Sequence, residues 1–181
     1  LRSWGNSAAA RALAQKVGLP TLPGSGPLPR DPGEARAIAQ AIGYPLMLKA
    51  SHGGGGRGLR VVAAPSELGP LVHAARREAV LVFGSDEVYV ESLVQRARHI
   101  EVQVLGDLHG NLVHLFERDC SVQRRHQKIV ERAPAPRLSE PTRQQLFAAA
   151  LTLARAAGYT HAGSIEFLLD VETGAFYFIE A

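Results

Sequence analysis

The stretch GSIEFLLDVETGAFYFIE, residues 163–180, decides the fold class that this chain of 181 residues is predicted to adopt. Two runs rich in aromatic and branched apolar residues flank Glu172-Thr173-Gly174, which fits a three-residue hairpin loop with glycine in the left-handed conformation. We therefore predict two antiparallel strands in which Val171 faces Ala175.

The same register sets two carboxylates against each other, because Glu166 lies directly opposite Glu180 with Cβ atoms ~5 Å apart. Leu168, Phe176 and Phe178 are predicted on the face of these glutamates and the other face is apolar too, so both carboxylates are expected to be nearly buried. Like charges so placed destabilise a sheet unless they share a proton, pair with a basic side chain or bind a cation. Carboxylate oxygens suit Mg²⁺ or Mn²⁺, so we favour a metal site over two exposed glutamates in a slipped register.

The rest of the chain mixes helices with strands. Helices are predicted over 7–17, 31–42, 66–79 and 142–157, and further strands over 45–50, 59–63, 88–91, 98–105 and 111–118. Short turns such as Asp107-Leu108-His109-Gly110 join the later strands, which favours antiparallel pairing. The predicted fold class is therefore α+β, with sheets covered by helices on one side.

The composition is that of an ordinary globular protein, since 46% of the residues are hydrophobic and 20% are charged. It excludes a disordered tail, a coiled coil and a collagen-like fibre. We expect neither a membrane partner nor secretion, because no apolar run approaches the ~20 residues of a membrane span and no leader is recognisable. The single cysteine, Cys120, suits a reducing compartment and predicts a cytoplasmic location.

The net charge of +3, with seven histidines besides, suits an anionic ligand but is too small to indicate nucleic acid. The chain begins at Leu1 without methionine and ends at Ala181, directly after an apolar run. Natural termini are usually loose and polar, so we expect this chain to be a piece of a longer protein.

A glycine-rich loop, Ser51-His52-Gly53-Gly54-Gly55-Gly56-Arg57-Gly58, joins two predicted strands. Glycines let backbone N–H groups approach a ligand closely, and such a loop can wrap over phosphates. The strand–loop–strand context excludes a Walker loop and a dinucleotide-binding turn. Lys49 precedes the loop by two residues, so the pattern favours phosphate binding over a flexible surface hairpin with a solvent-facing lysine.

Two polar stretches follow. In residues 98–105 the apolar Ile100, Val102 and Val104 alternate with His99, Glu101 and Gln103, which by itself indicates an ordinary amphipathic strand. The run RDCSVQRRHQK, residues 118–128, packs five basic or imidazole side chains into eleven positions. It fits a solvated or nucleic-acid-facing stretch, although it lacks interleaved aromatics, and it equally fits a polyphosphate or bicarbonate site.

Together these motifs resemble the ATP-grasp ligases, and most closely the biotin carboxylases. The similar stretches cover nearly the whole chain and are 49–58, 98–104, 117–128, 133–136, 163–168 and 176–180. The resemblance implies an incomplete ATP-grasp fold. Residues 1–18 would be a helix leading into it, 19–92 a small lobe with the glycine-rich loop, and 93–181 part of a large lobe truncated at its C-terminus.

The resemblance also implies site residues. The residues implied to bind ATP are Lys49, Gly54, Gly55, Gly56, Arg57, Gly58, Glu91, Val94, His99, Gln123 and His126. Of these, Lys49 and the loop would hold phosphates, Glu91 and Val94 would meet the adenine, and the last three would lie near the ribose and phosphates. Lys128 would help hold bicarbonate as the catalytic group, and Glu166 and Glu180 would bind the Mg²⁺ or Mn²⁺ that bridges the phosphates.

The implied reaction has two steps. Bicarbonate attacks the γ-phosphate of MgATP to give carboxyphosphate, and the CO₂ it releases carboxylates biotin on a carrier domain. The implied partners are ATP, bicarbonate, a biotinylated carrier domain and the carboxyltransferase component of an acyl-CoA or pyruvate carboxylase, and the parent enzyme is expected to be a homo-oligomer. Nucleic acid and membrane are not expected partners.

Three positions depart from the family. Ser7 stands where a lysine that contacts ATP is usual, and His52 stands where glycine is common. After Glu180 the family continues with an asparagine, arginine and glutamate motif, whereas here Ala181 follows. We therefore expect the isolated chain to be inactive. The alternatives are a bicarbonate-phosphorylating ligase of the carbamoyl phosphate synthetase type and a non-catalytic module derived from a biotin carboxylase.

Overall fold

The computed structural model describes residues 7–53 and 58–181. Its helices are α1 (Ser7–Lys16), α2 (Pro32–Ile42), α3 (Pro65–Phe83) and α4 (Glu140–Ala156). Its strands are β1 (Leu46–Ala50), β2 (Arg60–Val62), β3 (Val88–Ser92), β4 (Ala97–Gly106), β5 (Leu112–Arg124), β6 (Gln127–Arg132), β7 (Ala162–Asp170) and β8 (Phe176–Glu180). Among the described residues, no helix combines the length and apolarity that a bilayer span requires.

The chain divides into two compact units. The small unit is Leu22–Gln95, and the large unit joins Ala9–Thr21 to Arg96–Ala181. Both combine helices with antiparallel strands, which confirms the predicted α+β class. The lobe boundaries expected from the sequence, 19–92 and 93–181, stay a prediction.

The small unit is a three-stranded antiparallel sheet in the order β2-β1-β3, packed against α2 and α3. Helix α2 begins where the Asp31 carboxylate accepts a 2.8 Å hydrogen bond from the Glu34 amide, and it ends at Gly43, whose φ is 93°. Strand β1 alternates, so that Leu46 and Leu48 are fully buried in the core of this unit. The alternation leaves Lys49 on the opposite face of the strand.

The large unit is a five-stranded antiparallel sheet in the order β6-β5-β4-β7-β8. The alternating apolar residues of β4, Ile100, Val102 and Val104, lie in its core with residues of α4 and β7. The polar residues between them therefore face the other side of the sheet. This face carries charged side chains from β4, β5 and β7, namely Glu101, Arg118 and Glu166.

The hairpin of β7 and β8 forms with a register that differs from the predicted one. The pair Glu166 and Glu180 is confirmed, but Phe167 pairs with Phe178, one position away from the residue expected. The loop holds four residues, 171–174, instead of three, because Ala175 pairs with Asp170 and not with Val171. The Asp170 amide donates to the Ala175 carbonyl at 2.8 Å. A β-bulge at Ile179 then restores the pairing of the two glutamates.

The bulge also corrects the predicted faces. Phe176 and Phe178 pack edge-on against Phe167, with ring centroids 5.5 and 6.4 Å away, and so point into the core. The expectation that they share the face of Glu166 is wrong. Phe178 and Glu180 lie two positions apart and would share a face in a regular strand. Because Phe178 is buried while Glu180 pairs with Glu166 on the other face, the strand needs the bulge at Ile179 between them.

Candidate functional site

The small unit buries an ion pair between β1 and β3. The Lys49 ammonium lies 2.5 Å from the Glu91 carboxylate, and the two side chains are 16% and 7% exposed. Strand register explains the contact, because Met47 pairs with Glu91 and Lys49 pairs with Tyr89, which puts all four residues on one face. The Lys49 nitrogen also lies 6.0 Å from the centre of the Tyr89 ring. A solvent-facing lysine at this position is therefore excluded.

The glycine-rich loop follows Lys49 by two residues, and four of its predicted phosphate-binding residues, Gly54 to Arg57, lie outside the described residues. Gly58 has a φ of 74°, and a Cβ atom there would meet Ala50 at 3.5 Å. The positive φ explains why glycine is needed at this position. Val94, the predicted adenine neighbour, is half-buried after the end of β3.

In the large unit, charged residues form one row across the sheet. Arg118 of β5 pairs with Glu101 of β4, Glu101 pairs with Glu166 of β7, and Glu166 pairs with Glu180 of β8. Three carboxylates thus lie on consecutive strands, directly opposite one another. Such a row is unfavourable unless cations neutralise it.

The Lys128 ammonium lies between two of these carboxylates. Its nitrogen donates to Glu101 Oε2 at 2.6 Å and to Glu166 Oε1 at 2.7 Å. Arg118 completes the arrangement, because its Nε donates to Glu101 Oε1 at 2.6 Å. Glu101 is only 2% exposed, so two basic side chains satisfy a carboxylate that is almost completely buried.

Glu166 accepts a second donor from the strand beside it. His99 Nε2 lies 2.8 Å from Glu166 Oε2, while His99 Nδ1 lies 2.8 Å from the side-chain nitrogen of Gln123. That amide nitrogen also donates to the Cys120 carbonyl at 2.7 Å. The structure therefore brings together four predicted site residues, His99, Gln123, Lys128 and Glu166, through close polar contacts.

These contacts shift the pKa values of two residues of the site, Glu166 and Lys128. Burial raises the pKa of Glu166, but the hydrogen bonds from His99 and Lys128 outweigh it and lower the pKa to about 2. Burial acts to lower the pKa of Lys128, but its bonds to Glu101 and Glu166 outweigh it and raise the pKa above its usual range. At neutral pH the site therefore holds an ionised Glu166 and a protonated Lys128.

The carboxylates fit a divalent cation. Glu101 and Glu166 each offer a ligand oxygen, and these atoms lie within 4.8 Å of each other and of a ring nitrogen of His99. Glu180 adds a half-buried carboxylate opposite Glu166. A site dominated by carboxylate oxygens suits the hard cations Mg²⁺ and Mn²⁺.

The last predicted site residue, His126, is exposed at the turn between β5 and β6. Arg125 and His126 form a two-residue loop with φ values of 52° and 65°, the conformation of a type I′ turn. Glycine and asparagine are usual there, so this turn holds two side chains in a conformation that is costly for them. Gln123 and Lys128 pair directly below it.

Sequence reasoning missed Glu101 and Arg118 as site residues. The alternation of β4 places Glu101 on its polar face, but an exposed strand edge would show the same alternation. What distinguishes Glu101 is its position between β5 and β7, where Arg118 and Glu166 flank it. Knowing the strand order would have identified Glu101, but no motif in the sequence predicts that order.

The whole sequence from residue 6 to residue 181 matches one known domain family, described as the carbamoyl-phosphate synthase L chain, ATP binding domain. The chain therefore belongs to this family of ATP-binding domains. A relative in Nostoc sp., named biotin carboxylase, is 48% identical over 99% of this chain. This chain spans 40% of the length of that relative.

Solved structures agree. Pyruvate carboxylase of Rhizobium etli superimposes on 99% of the chain with a TM-score of 0.94 and 59% identity, the match covering 16% of that protein. The biotin carboxylase domain of Hydrogenobacter thermophilus 2-oxoglutarate carboxylase superimposes with a TM-score of 0.93 and 44% identity, over 99% of this chain and 39% of that one. Its structure is a complex with MgADP, ADP and bicarbonate. These matches confirm the predicted ATP-grasp fold of biotin carboxylases, of which the chain covers a part.

Proposed function

We propose that this chain is the MgATP-binding segment of a biotin carboxylase, which phosphorylates bicarbonate and carboxylates biotin through carboxyphosphate. The observation that carries the proposal is the row of carboxylates on β4, β7 and β8, which Lys128 and Arg118 neutralise. Burying several charges on one face of a sheet does not stabilise the fold by itself. The same charges are suited to binding a metal ion and the phosphates that it neutralises.

Glu166 and Glu180 would hold the Mg²⁺ or Mn²⁺ of the nucleotide, since the register pairs the two residues on adjacent strands. When bound, the ion would supply charge neutralisation at the γ-phosphate. Lys128 would hold bicarbonate, because its ammonium already lies beside the carboxylates that face the metal. Its raised pKa keeps the ammonium charged at neutral pH, so it can bind an anion.

In the small unit, Lys49 would bind phosphate oxygens, together with the loop of Gly54, Gly55, Gly56, Arg57 and Gly58. The ion pair with Glu91 fixes the direction of the Lys49 side chain. Glu91 and Val94 would meet the adenine. His99, Gln123 and His126 would lie near the ribose and phosphates.

The complete enzyme would act in the cytoplasm as a homo-oligomer. Its partners would be a biotinylated carrier domain and a carboxyltransferase component. One relative supports a multi-subunit carboxylase, since the mitochondrial α subunit of methylcrotonoyl-CoA carboxylase of Arabidopsis thaliana is 46% identical and this chain covers 24% of it.

The test is calorimetric titration of the chain with ATP, with and without Mg²⁺. We expect Mg²⁺ to strengthen binding, and Glu166→Gln to remove that gain by about tenfold or more because it deletes a metal ligand. The exposed Glu172→Gln is the matched control and should keep the gain. Absence of nucleotide binding by the unaltered chain at millimolar ATP would instead support a non-catalytic module.

The family description favours one second candidate, a bicarbonate-phosphorylating ligase of the carbamoyl-phosphate synthase type. The two functions differ in what consumes carboxyphosphate, which is biotin in one and ammonia in the other. Labelled bicarbonate supplied to the complete enzyme with MgATP, biotin and ammonia should appear in carboxybiotin. Label in carbamoyl phosphate would establish the second candidate.

A further inference from the structure

The side-chain amide of Gln123 has only one orientation that satisfies its neighbours. One of its terminal atoms lies 2.7 Å from the Cys120 carbonyl oxygen, which can only accept a hydrogen bond. That atom must therefore be the nitrogen, because the reversed amide would bring two oxygens to this distance. The Cys120 carbonyl thus decides which way the amide points.

The orientation of the amide decides where the proton of His99 lies. The same Gln123 nitrogen is 2.8 Å from His99 Nδ1, and an amide nitrogen donates but does not accept. Nδ1 must accept, so it carries no proton. The proton of the neutral ring therefore lies on the other nitrogen, Nε2. Nε2 is 2.8 Å from Glu166 Oε2, a close contact that is not aligned as a hydrogen bond, so the contact with Gln123 decides the tautomer.

We propose that Gln123 is a positioning residue that fixes His99 as the Nε2–H tautomer and so makes this histidine a hydrogen-bond donor on the site face of the sheet. In this role Gln123 acts on a bound ligand indirectly, through the ring of His99. The chain of contacts runs from the Cys120 carbonyl through Gln123 and His99 to Glu166. The backbone supports it, because the His99 amide donates to the Ser121 hydroxyl at 3.0 Å.

The tautomer determines what His99 can recognise. Because Gln123 donates to Nδ1, the Nε2–H group of His99 is the one left to face the site. A group that takes the place of Glu166 beside Nε2 must therefore offer an acceptor oxygen. A hydroxyl or phosphate oxygen fits and an ammonium or amide N–H does not. Glu166 in turn accepts from Lys128 on one oxygen and lies close to His99 Nε2 with the other.

The experiment is a long-range ¹H–¹⁵N correlation spectrum of the histidine rings, recorded on the ¹⁵N-labelled chain at neutral pH without nucleotide or metal. We expect His99 to show an unprotonated Nδ1 and a protonated Nε2. Gln123→Glu should add a proton on Nδ1, because a carboxylate beside Nδ1 can only accept, and the Glu166 carboxylate beside Nε2 keeps that nitrogen protonated as well. The exposed His73 is the internal reference for an unconstrained ring.

Gln123→Met removes the donor while keeping the side-chain length, so the share of Nε2–H in His99 should fall toward that of His73. Gln144→Met, at an exposed glutamine of α4, is the matched control and should leave His99 unchanged. A protonated Nδ1 in the unaltered chain, or a tautomer that neither Gln123 variant changes, would overturn the proposal. If Gln123→Glu does not fold, Gln123→Met alone decides. The spectrum needs no nucleotide, so its outcome is independent of whether the chain binds MgATP.

Discussion

Glu101 and Glu166 lie directly opposite each other on β4 and β7, and the Lys128 ammonium bridges them at 2.6 and 2.7 Å. Two carboxylates in this position repel each other, and Glu101 has almost no solvent to screen it. Arg118 also donates to Glu101, but Lys128 is the basic side chain that neutralises both carboxylates at once.

Lys128→Met should therefore destabilise the chain strongly. Removing one partner of a buried ion pair leaves uncompensated charge and costs about 3 kcal/mol. Urea unfolding followed by circular dichroism measures the loss. Lys16→Met, at an exposed lysine of α1, is the control and should change the free energy of unfolding by less than about 0.5 kcal/mol. Equal effects of the two substitutions would contradict the role of the bridge.

The carboxylate of Glu166 predicts how stability depends on acid. Its pKa is lowered from 4.5 to about 2 in the folded chain, so the unfolded chain binds the proton more tightly. The stabilisation is therefore fully present above pH 4.5 and is lost as the pH falls toward 2. Unfolding curves measured across this range should show a steeper decline for the unaltered chain than for Glu166→Gln. The exposed Glu172→Gln should follow the unaltered chain, and a parallel decline in all three would refute the assignment.

Gly106 is predicted to tolerate no side chain. A Cβ atom there would overlap the Tyr159 carbonyl oxygen, and a backbone atom cannot move aside cheaply. Gly106→Ala should cost about 1–3 kcal/mol of stability through this overpacking. Gly26→Ala, where a Cβ atom would meet nothing within 4 Å, is the control for a glycine in open space. Thermal unfolding of both variants tests the difference, which should vanish if Tyr159 can shift.

Cys120 is predicted to be chemically inert in the folded chain. Burial, together with the Glu101 carboxylate, raises the pKa of its thiol to about 12, and its relative exposure is 0%. A buried, protonated thiol reacts slowly, because the thiolate is the nucleophile. A thiol reagent at mildly alkaline pH should label Cys120 only after urea unfolds the chain. Rapid labelling under native conditions would show that the centre of β5 opens.

The local part of the site was predictable from the sequence, and the part that depends on strand order was not. The spacing from the loop predicted the pair of Glu166 and Glu180, although through a three-residue loop; the bulge offsets the extra residue of the real loop. It missed the bulge at Ile179, since the packing of Phe178 against Phe167 decides it. It also missed Glu101, because its neighbours come from strands that are distant in the chain.

The bulge at Ile179 lets two nearby positions of one strand serve opposite sides of the sheet. In a regular strand Phe178 and Glu180 would face the same side, because they lie two positions apart. The extra residue sets Phe178 against Phe167 in the core and Glu180 opposite Glu166 on the other side. A regular ladder that kept Ile179 would therefore turn the Glu180 carboxylate toward the apolar interior. The side that this carboxylate faces depends on one irregularity of the backbone and not on its distance from the turn.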